Sequence, residues 1–319
     1  MNNIILDKDI NDNIILDKRI AIIGYGNQGR AQALNLKDSG LNIKIGLRSK
    51  SNSIGKVKSD KLEYLSIEKA VKWANLICIL LPDKIAPNVY KKYINNYLKD
   101  GDTLLFSHGY NIHYKLISPP LFVNVVMVAP SGGGFIVRQE YKKNSGVPSL
   151  IAVDKDKTGN ALEIAKSYAK AIGSGRICIF ESTFKEETET DIFGEQAILT
   201  GGLPFLINSA YNTLINNGYD STVAWFVCYY EIKTIVDLFH DNGFEQFYKM
   251  ISDTARIGGI SSGKKLIDES FSSKLDLLLQ YIKDGSFYQS LKNAKDEKLP
   301  VDFDGIEKQT KKILKIIKK

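Results

Sequence analysis

The run Arg19-Ile20-Ala21-Ile22-Ile23 passes without a break into Gly24-Tyr25-Gly26-Asn27-Gln28-Gly29 and then into Arg30-Ala31-Gln32-Ala33-Leu34-Asn35-Leu36. A lone G-x-G-x-x-G is a weak signal. An apolar, β-branched run before it and a helical run after it turn it into a dinucleotide-binding fingerprint. In that setting the glycines supply a tight turn, backbone access to a pyrophosphate and close packing of the helix, with the phosphates at the positive helix end. Gly24, Tyr25, Gly26, Asn27, Gln28 and Gly29 are therefore candidate cofactor contacts.

The next strand-like run ends Gly46-Leu47-Arg48-Ser49-Lys50-Ser51-Asn52-Ser53. A site for NAD usually places Asp or Glu there to accept from the ribose 2′-OH. This chain has no acid there, and a cation among hydroxyls suits a 2′-phosphate, so the loop reads as NADPH-binding. A solvated basic loop is the alternative. Further on, Leu80-Leu81-Pro82-Asp83 closes another strand at the height where such folds meet the adenosine side of the cofactor.

Outward from this motif, up to about residue 182, short β-branched runs alternate with helical stretches, as in parallel α/β proteins. The runs are Arg19 to Ile23, Ile43 to Leu47, Leu76 to Leu81, Thr103 to Ser107, Val123 to Val128, Leu150 to Val153 and Ile177 to Phe180. Most are apolar without alternation, which predicts strands covered on both faces. Beyond Glu187 only Pro204 and Pro300 occur, and Ala224, Cys228, Ile232, Ile235 and Phe239 recur at helical spacing. The expected fold class is α/β, a Rossmann-like domain over residues 1–182 followed by an all-helical domain over 183–319.

That second half opens with a dense acidic run from Glu186 to Glu195. Asp191 and Glu195 stand four apart, so on a helix both carboxylates leave one face. Apolar Ile192 and Phe193 beside them imply a packed helix, where two like charges call for a cation; hard oxygen ligands fit Mg²⁺. A solvated acidic first turn favoured by the helix dipole is the competing reading. Glu231, in the apolar run Trp225 to Lys233, is a metal ligand or an ion-pair partner of Lys233 or Lys249. His108 follows a strand at its C-terminal end, where α/β folds place chemistry.

Composition narrows the rest. The chain has 319 residues, 44% of them hydrophobic, and a net charge of +7 from 43 Lys+Arg against 36 Asp+Glu. Only six of those cations are Arg (19, 30, 48, 138, 176, 256), the residue that phosphate recognition favours, so the surplus does not read as a nucleic-acid surface. No stretch reaches the roughly 18 apolar residues of a membrane span. Acidic Asp7 and Asp9 near the start complete the expectation of a cytoplasmic protein with no membrane role. The tail Lys311 to Lys319 reads as an amphipathic helix with its lysines in solvent.

Three segments together, Gly24 to Leu36, His108-Gly109-Tyr110-Asn111-Ile112-His113 and Thr183 to Gln196, resemble the short, class I ketol-acid reductoisomerases, in register from about residue 4 to about 270. The resemblance implies an enzyme that uses Mg²⁺ and NADPH on 2-acetolactate or 2-aceto-2-hydroxybutyrate. An alkyl group migrates, hydride reduces the new ketone, and a 2,3-dihydroxy acid of valine or isoleucine synthesis results. By matching position it makes Tyr25 to Gln28, Arg48, Ser51, Ser53, Asp83, Lys84, Ile85, Ala86 and Gly134 cofactor contacts, with His108 in the active site. Asp191, Glu195 and Glu231 match magnesium ligands over two sites, and Ser252 a contact to the substrate carboxylate. It further implies a knotted helical domain that dimerises to complete each site.

Two departures fall at the chemistry. Where the family has Pro-Lys-Gly-Pro-Gly-His, this chain reads Pro130-Ser131-Gly132-Gly133-Gly134-Phe135, and one turn before Glu231 a metal-binding glutamate is replaced by Val227. One cation and one anion are lost together, which keeps the local charge sum and weakens the second magnesium site. The alternatives this leaves open are an NADPH-dependent 2-keto acid reductase without isomerase activity and a non-catalytic NADP-binding homologue.

Overall fold

The structure is a computed structural model that describes residues 4–11, 13–294 and 302–317. Pro300 and the last two lysines of the basic tail, Lys318 and Lys319, lie outside the described residues. The chain divides into two compact units, Met1–Thr190 and Asp191–Lys319.

The first unit is built on eight strands: β1 (Arg19–Ile23), β2 (Asn42–Leu47), β3 (Tyr64–Ser66), β4 (Leu76–Ile79), β5 (Thr103–Phe106), β6 (Asn124–Pro130), β7 (Ser149–Lys155) and β8 (Ile179–Glu181). They lie in the order β3-β2-β1-β4-β5-β6-β7-β8. The first six form a parallel, doubly wound sheet whose strand order reverses between β1 and β4, and in such sheets ligands bind at that point, off the strands' carboxyl ends. The lack of apolar alternation has a direct cause. Ile20, Ile22, Cys78 and Leu105 pack into one core, while Ala21, Ile23, Ile77 and Leu104 from the same strands pack into another on the opposite face.

Two features depart from the sequence expectation. β3 is only three residues long and largely unburied, too short to show as a β-branched run. β7 runs antiparallel to β6, with Pro130 opposite Ser149, so the chain returns at the end where it left. The helix Gly134–Lys142 fills that return and packs on the helix Asn27–Asp38 instead of crossing the sheet.

In the second unit the described residues form helices throughout, from Gly202–Asn216 to Asp304–Ile317. Its core is small: Tyr211, Ala224, Trp225 and Ile306, with Trp225 Nε1 donating to Thr310 Oγ1 at 2.9 Å. The basic tail lies in the helix Asp304–Ile317, which buries Ile306 and Gln309 and leaves Lys308, Lys311, Lys312 and Lys315 in solvent. No helix among the described residues is long and apolar enough to cross a membrane.

Candidate active site

The glycine loop ends β1 and opens the helix Asn27–Asp38. Gly24 has φ +101°, a left-handed conformation that favours glycine, and a Cβ there would stand 2.6 Å from the Leu80 carbonyl oxygen. A Cβ on Gly29 would stand 2.5 Å from the Gly24 oxygen, whereas one on Gly26 would meet nothing within 4 Å. Two glycines thus close the turn, and the third keeps the backbone open to a ligand. Tyr25 is pinned from outside: its hydroxyl donates to Asp60 at 2.8 Å, and Arg30 grips the same carboxylate through two nitrogens at 2.7 and 2.8 Å.

A cavity of about 890 Å³ is lined by Tyr25, Gly26, Asn27, Arg30 and Gly134, and two smaller ones also flank the loop. One of about 220 Å³ is lined by Gly24, Tyr25 and Gly26 together with Arg48, Ser51, Ser53 and Ile85. The basic loop after β2 therefore faces the glycine turn, where a 2′-phosphate would need it. The other, about 250 Å³, is lined by Gly26, Asn27, Gln28, Asp83, Ala86 and His108 among others. Lys84 is exposed and lines neither. Gly134 is buried against the loop from the far side, its would-be Cβ 2.1 Å from the Asn27 oxygen.

His108 Nδ1 pairs with Glu187 Oε1 at 2.9 Å, and the other Glu187 oxygen accepts from the Gly109 backbone at 2.7 Å. Glu187 is only 3% exposed, so this buried carboxylate holds a proton on Nδ1 and fixes the ring, assigning any proton transfer to Nε2. The sequence reading missed Glu187. Its position four before Asp191 was the available signal, but with acids also at 186 and 189 only the packing shows which one turns inward.

Asn111 Nδ2 donates to Asp83 Oδ1 at 2.8 Å. Burial pushes the Asp83 carboxyl up; nearby His108 draws it down and Glu187 pushes it up again. A carboxyl raised in the folded state costs stability as pH rises from its ordinary value of 3.8 through the folded one. Asp83→Asn removes that cost while keeping an acceptor for Asn111. The variant therefore melts above the parent at pH 8, with a gap that closes as the pH falls to 3.8; thermal scans showing a constant or reversed gap across that range would contradict this.

Asp191 and Glu195 are exposed carboxylates one turn apart on the continuous helical stretch from Phe184 to Leu199, whose last five residues are a π-turn beginning at Glu195. A second π-turn, Phe226–Tyr230, leads directly into Glu231. Such turns recur at functional sites because they re-aim side chains against the helical repeat. The ion-pair reading of Glu231 finds both partners engaged elsewhere, Lys233 with Asp237 and Lys249 with Glu245 at 2.6 Å. Exposed carboxylate oxygens are the hard donors that Mg²⁺ takes, so Asp191, Glu195 and Glu231 fit the metal by chemistry, while Val227 offers no donor atom. Ser252 caps the helix Asp253–Leu266, accepting from the Ala255 backbone at 3.2 Å. Ser131 is exposed, its backbone N–H donating to the Pro148 carbonyl.

Comparison with known proteins matches both halves. Residues 14–178 fit the family described as acetohydroxy acid isomeroreductase, NADPH-binding domain, and residues 184–317 the ketol-acid reductoisomerase C-terminal domain. The likeness therefore runs well past residue 270, where the motifs alone fade. The NADP(+) ketol-acid reductoisomerase of Methanocaldococcus jannaschii is 47% identical over 287 residues, 90% of this chain and 87% of that one. Its counterpart in Methanothermobacter thermautotrophicus is 47% identical over 281 residues, 88% and 86%. The structure of an NADH-preferring ketol-acid reductoisomerase from an uncultured archean superposes with a TM-score of 0.93 at 37% identity, covering 98% of this chain and 99% of that one. A semialdehyde dehydrogenase NAD-binding protein from Cupriavidus necator, at 15% identity and TM-score 0.67 over 85% and 99%, shares the fold alone. A cofactor loop, a histidine held by a buried glutamate and a helix of paired carboxylates thus stand in a chain matched along nearly its whole length, which belongs to the ketol-acid reductoisomerase family.

Proposed function

We propose that this chain is a working reductoisomerase that converts 2-acetolactate or 2-aceto-2-hydroxybutyrate to the 2,3-dihydroxy acid, with residues 1–182 binding NADPH and 183–319 carrying metal and substrate contacts. The observation that carries the proposal is the buried Glu187 gripping both His108 and the Gly109 backbone, an investment in one ring orientation at the end of β5. Arg48, Ser51 and Ser53 hold the cofactor's 2′-phosphate, Gly24 to Gly29 its pyrophosphate, and Asp83 to Ala86 and Gly134 complete the cradle. NADPH when bound would supply the hydride, and Asp191, Glu195 and Glu231 would hold Mg²⁺, which would supply Lewis-acid charge stabilisation. His108, oriented by Glu187, holds or passes a proton at Nε2, and Ser252 takes the substrate carboxylate.

A homodimer in the cytoplasm is part of the same reading, with neither nucleic acid nor membrane as partner. Its support is the second unit's surface, where Leu199, Phe205, Phe226, Phe244, Leu266 and Leu277 are all exposed around a small core. So much exposed apolar surface marks an interaction face. A second reading, a keto acid reductase that has lost isomerisation, is favoured by Ser131 and Val227 alone.

One assay separates the two: NADPH oxidation with and without Mg²⁺, on 2-acetolactate and in parallel on the already rearranged keto acid. The proposal expects Mg²⁺-dependent turnover of both by a protein that sediments as more than one chain. If only the rearranged acid is consumed, the second reading holds, and Val227→Glu with Ser131→Lys should then restore acetolactate turnover.

A further inference from the structure

Gln28, Gln32 and Asn35 stand on one face of the helix Asn27–Asp38, and the amides of the first two join a chain of hydrogen bonds that runs into the core. Gln28 Nε2 donates to the Gly132 carbonyl at 2.8 Å. Gln32 Nε2 donates to Gln28 Oε1 at 3.0 Å and to Ser107 Oγ at 2.9 Å. Tyr168, in the helix Ala161–Ala171 and fully buried, donates to Gln32 Oε1 at 2.8 Å. The Cys78 side chain in β4 bonds the same phenol.

The direction of every link follows from its last member. A backbone carbonyl can only accept, so Gln28 must turn Nε2 to Gly132 and Oε1 to Gln32. Gln32 must then meet it with Nε2, which turns its own Oε1 to Tyr168 and makes the phenol the donor. Tyr168 has one proton to give, and Gln32 Oε1 receives it. Burial keeps both end groups protonated, with Cys78 pushed up to about 12. Gln32 is 0% exposed and makes three bonds, so no water competes for its orientation.

We propose that Gln32 and Tyr168 are positioning residues for the cofactor site: their polarised chain fixes the Gln28 amide, latches the 131–134 loop to the glycine loop, and ties both to Ser107 beside His108. Without the Tyr168 proton, the buried Gln32 oxygen has no donor, and the amide loses the bond that holds it against turning that oxygen toward the Ser107 hydroxyl. Gln28 must then present Nε2 to Gln32, and its oxygen is left facing the Gly132 carbonyl. The latch opens by repulsion, although neither Tyr168 nor Gln32 is among the residues lining the three cavities beside the loop.

The inference rests on Gln28 belonging to the cofactor loop, so the test separates the two. NADPH affinity is measured by fluorescence titration, with kcat at saturating NADPH, for Tyr168→Phe, Gln28→Leu and the double variant. Loss of one latch bond predicts that Tyr168→Phe weakens NADPH about fivefold while kcat stays within about twofold, and that adding it to Gln28→Leu changes affinity by less than about twofold. An unchanged Kd in Tyr168→Phe, or effects that multiply in the double variant, overturns the coupling. An unchanged Kd in Gln28→Leu instead refutes the loop assignment. Should Tyr168→Phe not fold, Gln32→Met, which removes both amide groups at similar volume, is read the same way.

Discussion

Asp191→Asn lowers kcat/KM for 2-acetolactate by about a thousandfold, a loss of metal-borne charge stabilisation of the order of 4 kcal/mol, and leaves NADPH affinity within about twofold. Asp191 and Glu195 project from one face one turn apart, and both are exposed, so their mutual repulsion is weak. Two exposed carboxylates on one helix face offer a divalent cation hard oxygen donors. Asparagine keeps the size and an oxygen but removes the charge. On the proposed assignment this chain has little reserve, because Val227 offers no donor atom one turn before Glu231. Magnesium titration by calorimetry should show the affinity falling in parallel with turnover. Turnover within tenfold of the parent, with magnesium still bound, would remove Asp191 from the metal site.

Much of this was legible in the sequence, for reasons that can be named. β1, the glycine loop and the following helix are local structure: each residue's role depends on neighbours within a few positions, so the order of types is enough. The parallel core was legible because strands buried on both faces leave unbroken apolar runs, and Ile20 to Ile23 divide between two cores as such runs must. β7 was legible as a strand but not in direction. Its antiparallel pairing is set by where the helix Gly134–Lys142 docks, a contact more than 100 residues away in sequence from the helix Asn27–Asp38 that receives it. Glu187 and Gln32 were missed for the same reason. A glutamate in an acidic run and a glutamine in a helix look like surface until the fold shows one 3% and the other 0% exposed. Composition marks what a residue can do, and burial marks which of several equivalent residues does it.

Gly134→Ala weakens NADPH binding by about thirtyfold and destabilises the fold by about 1–3 kcal/mol, the usual range for overpacking. Gly134 begins the helix Gly134–Lys142, and a methyl there would stand 2.1 Å from the Asn27 oxygen, 2.4 Å from its carbon and 2.9 Å from the Gln28 nitrogen. All three are main-chain atoms at the start of the cofactor helix, so no side chain can swing away to make room. One helix must move. The helix Gly134–Lys142 is held to its neighbour by Asn35 Nδ2 on the Val137 carbonyl at 3.3 Å and by Arg138 on Asn35 Oδ1 at 2.8 Å. A shift that relieves the clash therefore strains those bonds, and the Gln28 to Gly132 link with them. Displacing the glycine loop instead moves the backbone proposed to meet the pyrophosphate. Gly133 supplies the control: its φ of −62° is open to any residue and a methyl there meets nothing within 4 Å. Gly133→Ala should keep NADPH affinity within about twofold and gain slightly in stability from a less flexible unfolded chain. If the two alanine variants bind NADPH equally well, the packing of Gly134 on the loop is not what shapes the cofactor site.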